Sequence, residues 1–168
     1  MVRVLILGTG GMAANHASAF AAIPGVEVVA GVDTRPEQLA EFNATHDIPR
    51  GFASVDEALA WGQFDAVANT TPDGAHYPTT MPLLAAGKHV LCEKPLATNA
   101  AHAEAMADAA ARARVVNMVN LSYRDVPALQ KAAAMVREGA IGNVRHFEAS
   151  YLQSWLTQPA WGDWKTDP

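Results

Sequence analysis

The sequence predicts an α/β protein whose parallel sheet is covered by helices on both faces. Short apolar runs rich in valine alternate with helix-like stretches along the 168 residues, which is the pattern of repeated strand–helix units. The runs are apolar at most positions, as expected for strands buried on both faces. The first run, residues 2–7, leads directly into a glycine turn, residues 8–13, and that turn opens a helix.

The first half of the chain predicts three strand–helix units. The first helix ends at Pro24-Gly25, and Ser54 caps the third helix with Glu57 three residues on, as in a capping box. The strands are predicted over residues 2–7 and 26–32, with a short one near 51–53. The helices are predicted over residues 12–22, 35–43 and 55–61.

The second half continues the alternation. Gly87 closes one helix, Thr98 is predicted to cap an alanine-rich helix that ends near Arg114, and Gly139 stops another. The strands are predicted over residues 65–69, 89–92, 115–119 and 144 to about 152. The helices are predicted over residues 76–86, 99–114 and 127–138.

The glycine turn predicts a dinucleotide site and, with it, a doubly wound sheet of the Rossmann type. Gly8 permits a tight turn, Gly10 lets the backbone approach a pyrophosphate, and Ala13 lets the helix pack against the strand. The start of the helix adds free N–H groups and the positive end of its dipole. A structural turn that binds nothing is the alternative. The predicted cofactor-binding residues here are Gly8, Thr9, Gly10, Gly11 and Met12.

Asp33 ends the second apolar run, 20 residues past Ala13. A carboxylate at this place accepts hydrogen bonds from the adenosine ribose hydroxyls and repels a 2′-phosphate, so NAD is favoured over NADP. Arg35 follows closely and could stack on adenine or reach a phosphate, which leaves NADP open as a cofactor. The alternative is an aspartate that only caps the next helix.

A threonine-rich segment follows the strand over residues 65–69, at the edge where open α/β sheets bind ligands. The hydroxyls and backbone of Thr70, Thr71 and Pro72 are predicted to line the cofactor. The alternative is an ordinary turn with a helix cap. His76 begins the next helix and is a further candidate cofactor residue, although a histidine there is also a common packing residue.

Glu93, Lys94 and Pro95 follow the strand over residues 89–92 at the same edge. Pro95 restricts Lys94 to an extended backbone, which helps to aim its side chain. Lys94 is the predicted catalytic residue, since its ammonium could donate to a reacting oxygen or position the carboxamide of nicotinamide. Glu93 could orient Lys94 or contact a ribose.

Together these motifs resemble the glucose–fructose oxidoreductase / inositol dehydrogenase / MocA family of NAD(P)-dependent oxidoreductases. Residues 8–17 resemble the opening of the family, residues 71–76 its motif after the fourth strand, and residues 93–95 its signature tripeptide. Residues 122–128 resemble the segment that crosses between its two domains. Residues 139–142 resemble the turn before the first strand of its second domain.

The resemblance implies an enzyme that passes a hydride between nicotinamide and a hydroxyl-bearing carbon of a sugar, cyclitol or related polyol. Lys94 would assist proton transfer and hold the substrate oxygen. Tyr123 and Arg124 would lie near the boundary between cofactor and substrate, with Arg124 as a cofactor contact. Ser122 stands where many members carry asparagine, so a contact at that residue is not carried over.

The resemblance also divides the chain. Residues 1–122 are expected to form the dinucleotide-binding domain, and residues 123–168 the crossover helix and first strand of an incomplete second α+β domain. Family members continue into a full second domain that supplies most substrate contacts, so we expect cofactor binding with little or no turnover from this chain alone. The tryptophans expected as core or interface anchors are Trp155, Trp161 and Trp164.

The composition argues against several other classes. A net charge of −5 and a sequence pI of about 5.6 disfavour binding to nucleic acid or a membrane surface. No apolar run approaches the roughly 20 residues of a membrane span. The single cysteine, Cys92, fits a reducing compartment, and we expect a cytoplasmic protein. No metal site is predicted.

Other functions stay open from the sequence. A non-catalytic nucleotide-binding subunit could pair with another chain through an orphan strand over residues 144–152, as a homo-oligomer or with a missing C-terminal domain. A truncated product without function is a further alternative. A Rossmann-type domain for an adenosyl cofactor fits Asp33 equally well, but it does not explain Glu93-Lys94-Pro95.

Overall fold

The computed structural model describes residues 1–154 of the chain. The chain divides into two compact units, Met1–Ser122 and Tyr123–Pro168, and each is described by itself. The expectations for the three tryptophans at positions 155, 161 and 164 lie outside the described residues.

The first unit is built on a six-stranded sheet in which every neighbouring pair is parallel. The strand order is β3-β2-β1-β4-β5-β6, so the direction of winding reverses between β1 and β4. This confirms the predicted doubly wound α/β fold, in which ligands bind outside the carboxyl ends of the strands at the reversal. The strands are β1 (Val2–Leu7), β2 (Val26–Val32), β3 (Gly51–Phe52), β4 (Ala66–Asn69), β5 (His89–Glu93) and β6 (Asn117–Asn120).

Two hydrophobic clusters cover the faces of this sheet. Along β1, Val4 and Ile6 belong to one cluster, and Leu5 and Leu7 belong to the other. Because successive side chains of a strand point to opposite faces, this alternation shows that β1 is buried on both sides. The helices that cover the sheet are α1 (Gly11–Ala21), α2 (Pro36–Thr45), α3 (Val55–Trp61), α4 (His76–Ala85) and α5 (Ala100–Ala113).

The helix caps agree with the sequence at one place and differ at another. The Ser54 hydroxyl accepts the Glu57 N–H at 3.2 Å, which confirms the predicted cap of α3. The predicted cap at Thr98 is wrong, because α5 begins one residue later and Asn99 accepts the His102 N–H at 2.9 Å. Threonine and asparagine are both good caps, so propensity alone does not separate two such neighbours. Within residues 1–154, no helix is long and apolar enough to cross a membrane.

The described part of the second unit contains one regular helix, α6 (Pro127–Arg137), and residues 144–154 have no assigned secondary structure. The strand predicted over residues 144–152 is therefore wrong for this structure. A strand needs a neighbour to satisfy its backbone N–H and C=O groups, and the described residues of this unit offer none. Its apolar side chains are accordingly exposed, Phe147 by 81% and Leu152 by 92%.

Candidate cofactor and active site

The predicted site residues of the first unit converge at one edge of the sheet. The glycine turn follows β1, Asp33 follows β2, residues 70–72 follow β4, and Lys94 follows β5. Because all these strands are parallel, their carboxyl ends meet at the same edge. The topology therefore brings together four segments that are far apart in the sequence.

In the glycine turn, Gly8 packs closely against the backbone of Thr70, while Gly10 and Gly11 face open space. Gly8 has φ of +82°, and a Cβ there would lie 3.0 Å from the carbonyl carbon and oxygen of Thr70. A Cβ on Gly10 or Gly11 would meet no atom within 4 Å. Helix α1 begins at Gly11 with no side-chain cap. Uncapped N–H groups beside open space suit the close approach of a pyrophosphate.

Thr9 ties the glycine turn to the residue that follows β2. Its N–H and its hydroxyl donate to the Asp33 carboxylate at 2.9 and 2.8 Å, and its side chain is buried. The Gln38 amide donates to the Thr9 carbonyl at 2.8 Å. Gln38 carries no sequence signal for this contact, because a glutamine on a helix is usually a solvent-facing residue. These hydrogen bonds of Thr9 fix the backbone of the turn between Gly8 and Gly10.

The Asp33 carboxylate is shared between the turn and Arg35. Arg35 donates to Asp33 through its backbone N–H at 2.9 Å and through its guanidinium at 3.1 and 3.2 Å. Burial by itself raises the pKa of Asp33, but the hydrogen bonds from Arg35 and Thr9 outweigh it and the pKa lies below its ordinary value. The Asp33 side chain is 6% exposed and that of Arg35 is 63% exposed. The alternative of an aspartate that caps the next helix is wrong, because the N-cap residue of α2 is Arg35 and this helix has no side-chain cap. The exposed guanidinium can move away from the carboxylate.

The threonine segment after β4 is braced internally. The Thr70 hydroxyl donates to the carbonyls of Leu7 and Gly8 at 3.1 and 2.8 Å, which ties this segment to the glycine turn. The Thr71 hydroxyl and N–H both donate to the Asn69 side-chain oxygen, at 2.7 and 3.2 Å. Since both hydroxyls already donate, they can meet a ligand only as acceptors, together with the exposed Pro72 and the backbone of the segment.

His76, a predicted cofactor residue, lies inside the protein. Its ring is fully buried, and its two nitrogens lie 2.7 Å from the Pro95 carbonyl and 2.8 Å from the Thr71 carbonyl. With no exposed ring surface, any effect of His76 on a cofactor passes through these two carbonyls.

Glu93 is the centre of a buried polar network. One carboxylate oxygen accepts the Asn120 amide at 2.6 Å and lies 2.8 Å from His16 Nε2, and the other accepts the Lys94 N–H at 3.2 Å. Burial raises the pKa of Glu93, but hydrogen bonds from Asn120, His16 and the Lys94 N–H outweigh this effect and lower the pKa. The bond to the Lys94 N–H is a backbone contact with the predicted catalytic residue, and both roles of Glu93, orientation of Lys94 and contact with a ribose, stay predictions.

Lys94 is exposed, and its ammonium makes no salt bridge with any residue of the described chain. The Lys94–Pro95 peptide bond is cis. An exposed ammonium at the carboxyl edge of the sheet, without an ion-pair partner in residues 1–154, can donate to a ligand oxygen.

Sequence reasoning missed two members of the Glu93 network. His16 lies on α1, 77 residues before Glu93, and Asn120 ends β6, 27 residues after it. Asn120 ends a strand, as the residues before the other motifs do, and this position is the sequence feature from which it could have been predicted.

Two other predicted cofactor residues, Arg124 and Met12, are exposed. Residues 1–154 contain no cluster of three or more metal-ligating side chains.

The comparison with known families gives a direct match. Residues 2–121 match the family model described as an oxidoreductase family with an NAD-binding Rossmann fold, which is the glucose–fructose oxidoreductase / inositol dehydrogenase / MocA family. The chain belongs to this family. The match confirms the resemblance found in the sequence motifs and identifies the first unit as the family's NAD-binding domain.

Relatives in this family include sugar and cyclitol dehydrogenases. The chain is 32% identical to a levoglucosan dehydrogenase of Pseudarthrobacter phenanthrenivorans, over 94% of the chain and 43% of that protein. It is 33% identical to an NADP-dependent scyllo-inositol 2-dehydrogenase of Bacillus subtilis, over 91% of the chain and 46% of that protein. The chain therefore spans less than half the length of these curated relatives.

Solved structures of the family give the same picture. The dehydrogenase WlbA of Bordetella pertussis, crystallised with NADH and UDP-GlcNAcA, is 32% identical with a TM-score of 0.80. The alignment covers 84% of this chain and 41% of that one. The first unit thus has a close structural counterpart in a protein that binds NADH.

Proposed function

We propose that this chain is the cofactor-binding part of an NAD(P)-dependent oxidoreductase. The reaction is a hydride transfer between nicotinamide and a hydroxyl-bearing carbon of a sugar, cyclitol or related polyol. The observation that carries the proposal is the open cradle at Gly10 and Gly11, at the uncapped start of α1 and on the same sheet edge as the exposed Lys94. The sugar and cyclitol dehydrogenases among the relatives support the substrate class.

The glycine turn and the start of α1 bind the pyrophosphate, and the Asp33 carboxylate accepts hydrogen bonds from the hydroxyls of the adenosine ribose. Asp33 already accepts hydrogen bonds from Thr9 and Arg35, so ribose binding displaces the exposed Arg35 guanidinium rather than the buried threonine. This favours NAD, because the carboxylate repels a 2′-phosphate. The displaced Arg35 provides a phosphate contact through which NADP is also accepted.

Lys94 holds the substrate oxygen and assists proton transfer to or from it, while bound NAD supplies the hydride acceptor. Because residues 1–154 offer it no ion-pair partner, the Lys94 ammonium keeps its donors available for that oxygen. Glu93 fixes the backbone from which Lys94 projects. Thr70, Thr71 and Pro72 line the nicotinamide end through their backbone.

The second unit has a proposed role in the substrate half. Residues 123–168 belong to the crossover segment and the beginning of a substrate domain, and Arg124 is the proposed cofactor contact in this part of the chain. The protein forms homo-oligomers through that substrate domain. A cytoplasmic location is also proposed, and the buried single thiol of Cys92 supports it, since the chain has no second cysteine to pair with it.

Calorimetric titration of the chain with NADH, and separately with NADPH, tests the proposal. We expect one site that prefers NADH. Gly10→Val is expected to abolish NADH binding while the chain stays folded, because Gly10 has an ordinary φ of −79° and its Cβ meets open space, so that only the poorer N-cap lowers stability. Ser18→Val, on the exposed face of the same helix, is the matched control and should bind as the wild type does.

Absence of binding by either cofactor would overturn the proposal. Equal binding by wild type and Gly10→Val would place the ligand elsewhere. A sugar-dependent absorbance change at 340 nm, lost in Lys94→Ala, supports a catalytic role for Lys94. Tight NADH binding without any such change, together with light scattering that shows an assembled complex, would favour a non-catalytic nucleotide-binding subunit.

A further inference from the structure

His76 occupies an unusual place for an ionisable side chain. It is the first residue of α4, its ring is 0% exposed, and both ring nitrogens face backbone carbonyl oxygens. A carbonyl oxygen only accepts hydrogen bonds, so the ring donates to one of the two carbonyls through the nitrogen that carries its N–H and packs its other nitrogen against the second. A buried polar ring whose partners are both main-chain atoms of loops is positioned to fix those loops.

The two carbonyls belong to the two segments on which the proposed chemistry depends. Thr71 lies in the segment after β4, and Pro95 directly follows Lys94 after β5. These strands are neighbours in the sheet, with Asn69 paired to Cys92. One ring therefore spans from the segment that lines the cofactor to the turn that carries the lysine.

Other residues bind the backbone N–H groups of these two segments, whereas His76 contacts their carbonyl groups. Thr71 is held on its N–H side by the Asn69 side chain, and Lys94 is held on its N–H side by the Glu93 carboxylate. His76 binds the carbonyl of Thr71 and the carbonyl that follows Lys94. The Lys94 backbone is thus fixed on both sides, by Glu93 before it and by His76 after it.

We propose that His76 is a positioning residue, which sets the placement of Lys94 relative to the cofactor-lining segment through the carbonyls of Thr71 and Pro95. The inference rests on the proposed function, because it takes Lys94 as the residue that meets the substrate. His76 itself touches neither cofactor nor substrate, since its ring has no exposed surface. Its effect is on geometry and on the rigidity of the two segments.

Two variants separate this role from simple core packing. His76→Leu keeps an apolar body of similar size and removes both ring nitrogens, including the one that donates. His76→Gln keeps one amide nitrogen that can reach one of the carbonyls. The matched control is His46→Gln, at the C-terminal end of α2, where the ring packs against Phe42.

The first readout is amide hydrogen exchange in the chain without cofactor. We expect exchange at the Lys94 and Thr71 amides to rise about tenfold in His76→Leu, as for the loss of one hydrogen bond, and less in His76→Gln. Core amides such as those of Ile6 and Val67 should exchange at the wild-type rate, and His46→Gln should match the wild type throughout. Unchanged exchange at Lys94 and Thr71, or a uniform rise at every amide, would overturn the positioning role.

The second readout is the NADH dissociation constant. We expect affinity to fall in the order wild type, His76→Gln, His76→Leu, with His46→Gln unchanged. If the wild type does not bind NADH, the proposed function fails, and the exchange measurement still decides whether His76 fixes the two segments. If His76→Leu does not fold, His76→Gln alone decides the matter, since wild-type exchange at Lys94 and Thr71 in that folded variant contradicts the proposal.

Discussion

The two units of the chain carry similar local patterns but differ in burial. In the first, helices α1 to α5 contribute residues to two hydrophobic clusters on the sheet. In the described part of the second, α6 has apolar residues at helical spacing, yet none of them is buried and Leu129 is 52% exposed. The difference teaches that hydrophobic periodicity predicts a helix, whereas a core also requires neighbours for that helix to cover.

The same contrast holds for the polar residues. In the first unit, Asp33 and Glu93 are buried, Asp33 accepts two hydrogen bonds from Thr9, 24 residues before it, and Glu93 meets His16 and Asn120, 77 and 27 residues away. In the second unit, Asp125 and Glu138 are exposed. Buried carboxylates with several donors fix loop geometry, and the first unit uses them at the edge where the proposed cofactor site lies.

The largest expected effect tests burial directly. Phe64 is fully buried, and Phe64→Ala should lower the free energy of unfolding by about 3–5 kcal/mol, through lost transfer energy and the cavity left behind. Phe147→Ala removes the same side chain from a position that is 81% exposed, and we expect a change within about 0.5 kcal/mol. Urea unfolding measures both. Similar losses in the two variants would break the contrast between the units.

The next effect compares two glycines with similar backbone angles. Gly8 and Gly139 have φ of +82° and +74°, and alanine at such angles costs about 1–2 kcal/mol. Gly8→Ala also places a Cβ 3.0 Å from the Thr70 carbonyl, whereas a Cβ on Gly139 meets open space. We expect Gly8→Ala to lower the urea midpoint and NADH affinity, and Gly139→Ala to reduce only the helicity of α6 by circular dichroism. Equal urea midpoints would contradict the close approach.

A smaller effect concerns acid. The folded-state pKa values of Asp33 and Glu93 lie below their ordinary values, so both carboxylates contribute stability above the unfolded pKa of about 4, and this contribution is lost as pH falls below it. The urea midpoint of the first unit should therefore fall steeply below about pH 4. Asp33→Asn should make that fall shallower, while Asp125→Asn, exposed in the second unit, should not. A pH-independent midpoint from pH 6 to 3 would contradict this account.

The smallest effect concerns the choice of cofactor. Arg35→Ala removes a guanidinium that pairs with Asp33 in this structure and that we propose as the contact of a 2′-phosphate. We expect NADPH affinity to fall about tenfold, the scale of one charge-assisted hydrogen bond, with NADH affinity unchanged or higher. Arg137→Ala, at the end of α6 in the second unit, is the matched control. Equal losses for NADH and NADPH would argue against a specific contact with the 2′-phosphate.

Much of the fold follows from the sequence, because strand and helix periods are local properties. The order of elements, the glycine turn and the positions of Asp33, Thr71 and Lys94 at strand ends follow from the strand–helix alternation and the parallel sheet. The prediction of a strand over residues 144–152 is wrong, because a strand forms only beside a partner strand and a local apolar pattern does not supply one.

The polar contacts of the site could not be predicted in the same way. His16 meets Glu93 across 77 residues, and Gln38 meets Thr9 across 29. These partners are set by strand order and helix placement, which no local pattern encodes. His76 was found as a candidate by its position after β4, but its two carbonyl partners appear only when β4 and β5 lie side by side.

Hydrogen exchange of the chain with and without saturating NADH tests the central claim most directly. The account predicts protection confined to the carboxyl edge of the sheet, at residues 8–12, Asp33, residues 70–71 and Lys94, with no change in residues 127–137. Protection at the opposite edge of the sheet, or none at any amide under saturating NADH, would contradict the claim that this edge holds the cofactor.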